Sequence, residues 1–162
     1  MFSFLNHKDG TMLRTRLADA LKVAMKDKNT MSTATLRLIL AALKDRDIAA
    51  RTKGEKETIS NDEVLGLLQS MIKQRRESIL LYEKGGRMEL AQQEAEEIAV
   101  IEEFLPEQMN EDEIILIIDA IIKEFNSSNL KDMGRVMTTL KEKHTGSMDF
   151  SKASALVKER LG

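Results

Sequence analysis

Two histidines, no cysteine and 27 carboxylates are the groups from which chemistry could be built in this 162-residue chain. His7 lies in an aperiodic N-terminal stretch. His144 falls in the last turn of an expected helix, where a cation meets the helix dipole favourably. Neither has a second His at metal-ligand spacing and there is no His-Glu-x-x-His pair, so no metal site is expected. There is no glycine-rich phosphate loop, no Gly-x-Ser-x-Gly elbow and no thiol nucleophile. The carboxylates Glu94, Glu96, Glu97, Glu102 and Glu103 read as the solvated side of one helix. The ten Met residues fall mostly on apolar stripes, as core filler. The sequence therefore offers no catalytic residue and no cofactor site.

The basic residues are more informative. Lys131 and Arg135 are helical neighbours at i, i+4, with Lys141 and Lys143 further along and Lys152 across the next turn. A secondary basic face falls on Lys73, Arg76 and Lys84, and a third row on Arg37, Lys44 and Arg51 at heptad steps. Such rows suit phosphate contacts, because each neutralised phosphate releases condensed counterions. The net charge of −2 excludes a polycation that coats nucleic acid by bulk charge, but leaves a local basic face open. A single Tyr, Tyr82, and no Trp argue against stacking of unpaired bases, so RNA would be gripped by shape and backbone. Two charges break the apolar pattern: Arg75 between Met71 and Ile79, and Asp47 among Leu40, Leu43 and Ala50. A guanidinium aimed at a core needs a partner, so Arg75 is expected to pair with Asp47 or Glu94 and fix helix register.

The elements that must carry these residues are all helical. One Pro, eight Gly, 4% aromatics and 42% apolar residues describe a folded all-α chain. Residues 1–10 read as a frayed leader too broken for a signal peptide, with Met12 an alternative start. A helix then carries Leu13, Leu17, Leu21 and Ala24. A second, capped at Asn29 or Thr30, carries Leu36, Ile39, Leu43 and Ile48 to about Arg51. Ser60 and Glu63 form a capping box that opens a third helix, which Gly85 and Gly86 stop. A fourth runs from about Arg87 to Phe104, before Pro106. Asn110 caps a fifth helix so rich in Ile that it should be buried on more than one side. A sixth begins at Leu130 and ends at Gly146, and a seventh starts near Phe150. The expected organisation is an N-terminal helical domain of about four helices, residues 1–106, followed by a three-helix C-terminal bundle, residues 107–162. No apolar run reaches membrane-spanning length, and the absence of Cys points to a reducing, cytoplasmic location.

Five blocks, in order, carry a resemblance over most of the chain: Thr35-Leu-Arg-Leu38, Lys73-Gln-Arg-Arg-Glu-Ser78, Tyr82-Glu-Lys-Gly-Gly-Arg87, Glu103-Phe-Leu-Pro-Glu-Gln108 and Lys131-Asp-Met-Gly-Arg-Val-Met137. Together they resemble the GatB/YqeY family. The resemblance implies a helical N-terminal domain and a C-terminal unit similar to the tail of the B subunit of the glutamine-dependent aspartyl/glutamyl-tRNA amidotransferase. That tail engages tRNA, while the chemistry lies elsewhere. Carried over, Lys131, Asp132, Gly134 and Arg135 match the most recognisable block. Gly134, lacking a Cβ, admits either a packed helix, the preferred reading, or a phosphate backbone. The chain departs from the family at Ser147-Met148-Asp149, where a usual basic residue is missing.

The expected function is thus an accessory tRNA-binding protein, non-catalytic alone, using Lys131, Gly134, Arg135, Lys141, Lys143 and Lys152. Its implied partners are tRNA and an amidotransferase or aminoacyl-tRNA synthetase. One alternative is a helical protein–protein adaptor. Another is a carbon–nitrogen ligase with glutamine as amide donor, which rests on the resemblance alone and finds no Cys or ATP loop here.

Overall fold

The computed structural model describes residues 11–162; the expected leader, with His7, lies outside them. The chain divides between Leu105 and Pro106 into two compact units. The described part of the first unit comprises α1 (Thr11–Lys26), α2 (Thr30–Thr52), α3 (Asn61–Lys84) and α4 (Met88–Glu102). The second comprises α5 (Glu111–Phe125), a 3-10 turn at Leu130–Asp132, α6 (Met133–His144) and α7 (Phe150–Leu161). The fold is all-α. The local start signals act as their chemistry dictates. Asn29 accepts from the Ser32 N–H, Ser60 and Glu63 close a full capping box, and Asn110 accepts from the Glu113 N–H. The Asn110 cap also sets Glu111, Asp112 and Glu113 in the first turn of α5, against the helix dipole.

In the first unit Leu17, Ile39, Val64, Leu68 and Ile101 are fully buried at the centre of one core. Asp47 is buried within it, but its partner is not Arg75. Arg14 of α1 donates from Nη1 and Nη2 to the two Asp47 carboxylate oxygens, both at 2.7 Å. The Ile59 N–H adds a third bond to Oδ1 at 2.9 Å, and Arg14 also reaches the Ile59 carbonyl at 3.1 Å. One carboxylate therefore ties α1, α2 and the loop before α3 together. The hydrogen bonds from Arg14 hold the Asp47 carboxyl below the usual range; burial opposes this, and the Ile59 bond and the positive charges of Arg14 and Arg51 reinforce it.

Arg75 instead faces α4. Its Nε lies 4.0 Å from Glu94 and its Nη2 3.5 Å from Glu97, while Nη1 donates to the Met71 carbonyl at 3.2 Å. The expected Glu94 pairing is present, the Asp47 one is not, and Glu97 completes the cluster. Burial, reinforced by the neighbouring Glu97 charge, holds the Glu94 carboxyl above its ordinary value of 4.5, and Arg75 only partly offsets this. Because the folded state then binds the proton more tightly than the unfolded chain, stability falls as pH rises from about 4.5 through the raised folded value. Glu94→Gln is expected to flatten that part of the stability curve. Urea midpoints recorded from acid to neutral pH check it, and an unchanged slope refutes it.

The second unit has its own core of Ile114, Ile118, Val136, Leu140, Met148, Ala153 and Val157. Here α5 is not central. In a three-helix unit each helix turns one face to a shared centre, so Ile114, Ile118 and Ile121 are buried while Leu116 is 70% exposed. A short 3-10 turn, capped by Asn129, precedes α6 where a continuous helix from Leu130 is expected. Asn126 adopts a left-handed conformation to end α5.

Candidate nucleic-acid interface

The 3-10 turn and α6 carry the basic residues of the second unit. Lys131, Gly134, Arg135 and Lys141 are all exposed, on the side of α6 away from buried Val136 and Leu140. Lys143 sits two residues beyond Lys141, about 200° around the helix, and leaves this face. Lys152 is exposed in the first turn of α7. The expected basic set is therefore split: three cations share one helical face, Lys143 lies on the other flank of α6, and Lys152 belongs to another helix. Glu142, exposed and two turns beyond Arg135, falls on the shared face between Lys141 and Arg135. Among the described residues none of the five cations is held in an ion pair, whereas Arg160 is taken by Asp119.

Two details shape this face. The Arg135 guanidinium lies 4.1 Å from the centroid of the Phe125 ring. A guanidinium held over a ring face at this distance loses little of its donor capacity, because its N–H groups lie at the edge of the plane and suit bidentate phosphate contact. The second detail corrects the reading of Gly134: a Cβ built there would meet nothing within 4 Å, so no helix packs against it. The smooth spot beside Lys131 and Arg135 is open surface, available to a backbone that needs to come close.

His144 does end α6, but its imidazole is not the dipole-stabilised cation expected there. Burial, and then the charge of Lys143, lower its pKa and favour the neutral ring. The turn after it, where the chain departs from the family pattern, is structural. Gly146 has a left-handed φ of 87°, and its carbonyl accepts from Gln108 at 2.6 Å. The Ser147 carbonyl accepts from the Met109 N–H at 2.8 Å, and Met148 is fully buried. Half-buried Ser147 stands where the cation is expected, its hydroxyl donating to the His144 carbonyl at 3.1 Å, and Met148 beside it joins the core.

In the first unit Lys73, Arg76 and Lys84 are exposed on the outer side of the second half of α3, where Glu77, Leu80 and Leu81 interleave with them. That side is mixed in charge and partly apolar. Of the row on α2, Arg51 is already engaged with the carbonyl of Glu57 at 2.9 Å. No group of three or more His, Asp or Glu able to hold a metal occurs among the described residues, and no described helix is long and apolar enough to cross a membrane.

The folds and surfaces define the class: an all-α protein of two helical units, the second carrying an outward basic face. The chain belongs to the family described as Yqey-like protein, whose model matches residues 14–161. It is similar to an uncharacterized protein of Schizosaccharomyces pombe, 30% identical over 96 residues, which make up 59% of this chain and 71% of that one. It is also similar to the mitochondrial proteins named altered inheritance of mitochondria protein 41. The one from Vanderwaltozyma polyspora is 34% identical over 52% of this chain and 44% of its own length. The one from Lachancea thermotolerans is 31% identical over 67% and 57% respectively. The matched part thus spans about half the length of these mitochondrial relatives.

Proposed function

We propose that this protein is an accessory tRNA-binding protein that grips the RNA backbone through its three-helix unit and performs no chemistry alone. The observation that carries this reading is the open face formed by Lys131, Gly134, Arg135 and Lys141: cations without carboxylate partners around a residue with no side chain. Arg135, steadied on Phe125, is the anchoring donor, and Lys131 and Lys141 extend the contact along the backbone. Lys143 and Lys152 widen the field rather than the contact. The resemblance to the amidotransferase tail supplies the choice of tRNA and suggests an amidotransferase or aminoacyl-tRNA synthetase as the enzyme served. The cytoplasm is the proposed compartment, since a chain without Cys suits a reducing environment.

Filter binding against bulk tRNA tests this. About three phosphate contacts lower affinity by about 40-fold between roughly 50 and 200 mM salt. Lys131→Ala with Arg135→Ala is expected to weaken binding and reduce the salt slope by about two. Absent binding, or a slope the double substitution leaves unchanged, overturns the reading. A second reading, the helical adaptor, is favoured by Leu80, Leu81 and Met88, which are more than half exposed in the first unit.

A further inference from the structure

The second half of α3 is uncovered on one side. Every buried residue of this helix lies at or before Ile72, yet the helix continues for three further turns to Lys84. Leu80 and Leu81 are 66% and 69% exposed there, and with Glu77, Glu83 and Lys84 they line a shallow apolar hollow. Met88, at the start of α4 just past the hairpin turn, is also mostly exposed. A bare leucine pair on a helix is an ordinary finding singly, but here its flanks are specific. Glu77, Leu80, Leu81 and Lys84 stand at i, i+3, i+4 and i+7, which is one continuous stripe of an α-helix.

That stripe is complementary to itself. Set two copies of α3 antiparallel about a two-fold axis midway between Leu80 and Leu81. Leu80 then faces Leu81 of the second copy, and Glu77 faces Lys84 of the second copy, on both sides of the axis. An axis placed on Leu80 itself would instead oppose Glu77 to Glu83 and Arg76 to Lys84, with unlike groups replaced by like charges. An axis on Leu81 sets Glu77 against Gly85 and Lys84 against Ser78, so of these three registers only the one between the leucines forms both ion pairs, and its geometry is that of a closed isologous contact, which ends at two copies. The leucines supply the apolar burial and the two outer pairs set the alignment, since exposed ion pairs add little affinity of their own.

We propose that the protein self-associates through the Glu77–Leu80–Leu81–Lys84 stripe of α3, with a second copy of the chain as its occupant. This is independent of RNA binding, which is assigned to the other unit. The contact is small, so the dimer is a transient one that forms at high protein concentration.

Sedimentation equilibrium of the full chain over a wide concentration range provides the test. The average mass is expected to rise from that of one chain toward that of two and no further. Leu81→Lys, at a site too exposed to disturb folding, is expected to leave a monomer throughout. Glu77→Lys and Lys84→Glu, made singly, each oppose like charges twice across the axis and are expected to weaken association by about tenfold or more. Combined in one chain, they restore the opposite-sign pairs and the association with them. Residues 77 and 84 are two turns apart on one helix, so recovery in the double variant reports contact between copies. A monomer at every concentration, growth past two copies, or a double variant as weak as the singles overturns the proposal.

Discussion

Asp47→Ala is expected to destabilise the first unit by about 3 kcal/mol, among the largest losses any single substitution in this chain should produce. The carboxylate is 8% exposed as a side chain and accepts three short bonds, two from Arg14 and one from the Ile59 N–H. Removing it leaves a guanidinium that is only 22% exposed without its counter-charge. It also strips the Ile59 N–H of its acceptor beside the buried Ile59 side chain. Three segments lose a common tie at once: α1, α2 and the approach to α3. Asp47→Asn keeps an acceptor for Ile59 but not the charge, and should lose about half as much. The sign of the pH effect is fixed by the lowered pKa. The folded state releases the proton more readily, so the stabilisation is complete above the ordinary value of 3.8 and is lost as pH falls through the lower folded value. The wild-type protein should therefore show an acid-side decline that Asp47→Asn lacks. Urea unfolding followed by far-UV dichroism at neutral and acid pH checks both statements. A change under 1 kcal/mol for Asp47→Ala would mean the bonds to water in the unfolded chain are as good as those to Arg14.

Asp47 also marks what a single sequence can and cannot disclose. A charge placed on an apolar stripe is visible without coordinates, because the helical period itself flags it. Its partner was not visible. Arg14 lies beside Leu13 and Leu17 on the edge of the α1 stripe, where a long basic side chain ordinarily runs out to water, and 33 residues separate it from Asp47. Pairing with Arg75 was the natural expectation because Arg75 was the one cation inside a stripe; the structure gives Arg75 to α4 instead. Caps at Asn29, Ser60 and Asn110 were legible because donor and acceptor are within three residues of each other. The basic face was only half legible. Counting by 100° from Arg135 places Lys141 correctly, but the 3-10 turn at Leu130–Asp132 changes the phase before Lys131, and the stacking on Phe125 depends on how α5 meets α6. Gly134 carries no packed helix although its sequence allows one, because a missing side chain says that something can come close, and only the neighbours show whether anything does.

Arg75→Met should destabilise the α3–α4 hairpin nearly as strongly, by about 2–3 kcal/mol, and the same cluster predicts its own rescue. The guanidinium is 13% exposed, and Glu94 and Glu97 are 20% and 12% exposed at their side chains. Those two carboxylates are one turn apart on α4, and Glu94 already sits above its ordinary pKa with Arg75 present. Methionine fills much the same volume, so the loss is electrostatic: two half-buried acids face each other with no cation between them. Part of the penalty should vanish at low pH, where Glu94 takes up a proton. The bonding in the wild-type cluster is incomplete, since Arg75 Nε is buried without a hydrogen bond and its closest carboxylate contacts are 3.5 and 4.0 Å. An ion cluster of that quality gives back little of what desolvation takes. It follows that Arg75→Met combined with Glu94→Leu and Glu97→Leu, an apolar replacement of the whole set, should regain most of the lost stability and can exceed the wild type. What the charged version retains is alignment, because only one sliding position of α4 along α3 brings both acids to the same guanidinium. Denaturant midpoints for the single and triple variants decide between these roles. A triple variant as unstable as Arg75→Met alone would show that the salt cluster itself, and not the removal of its unpaired charges, holds the hairpin together.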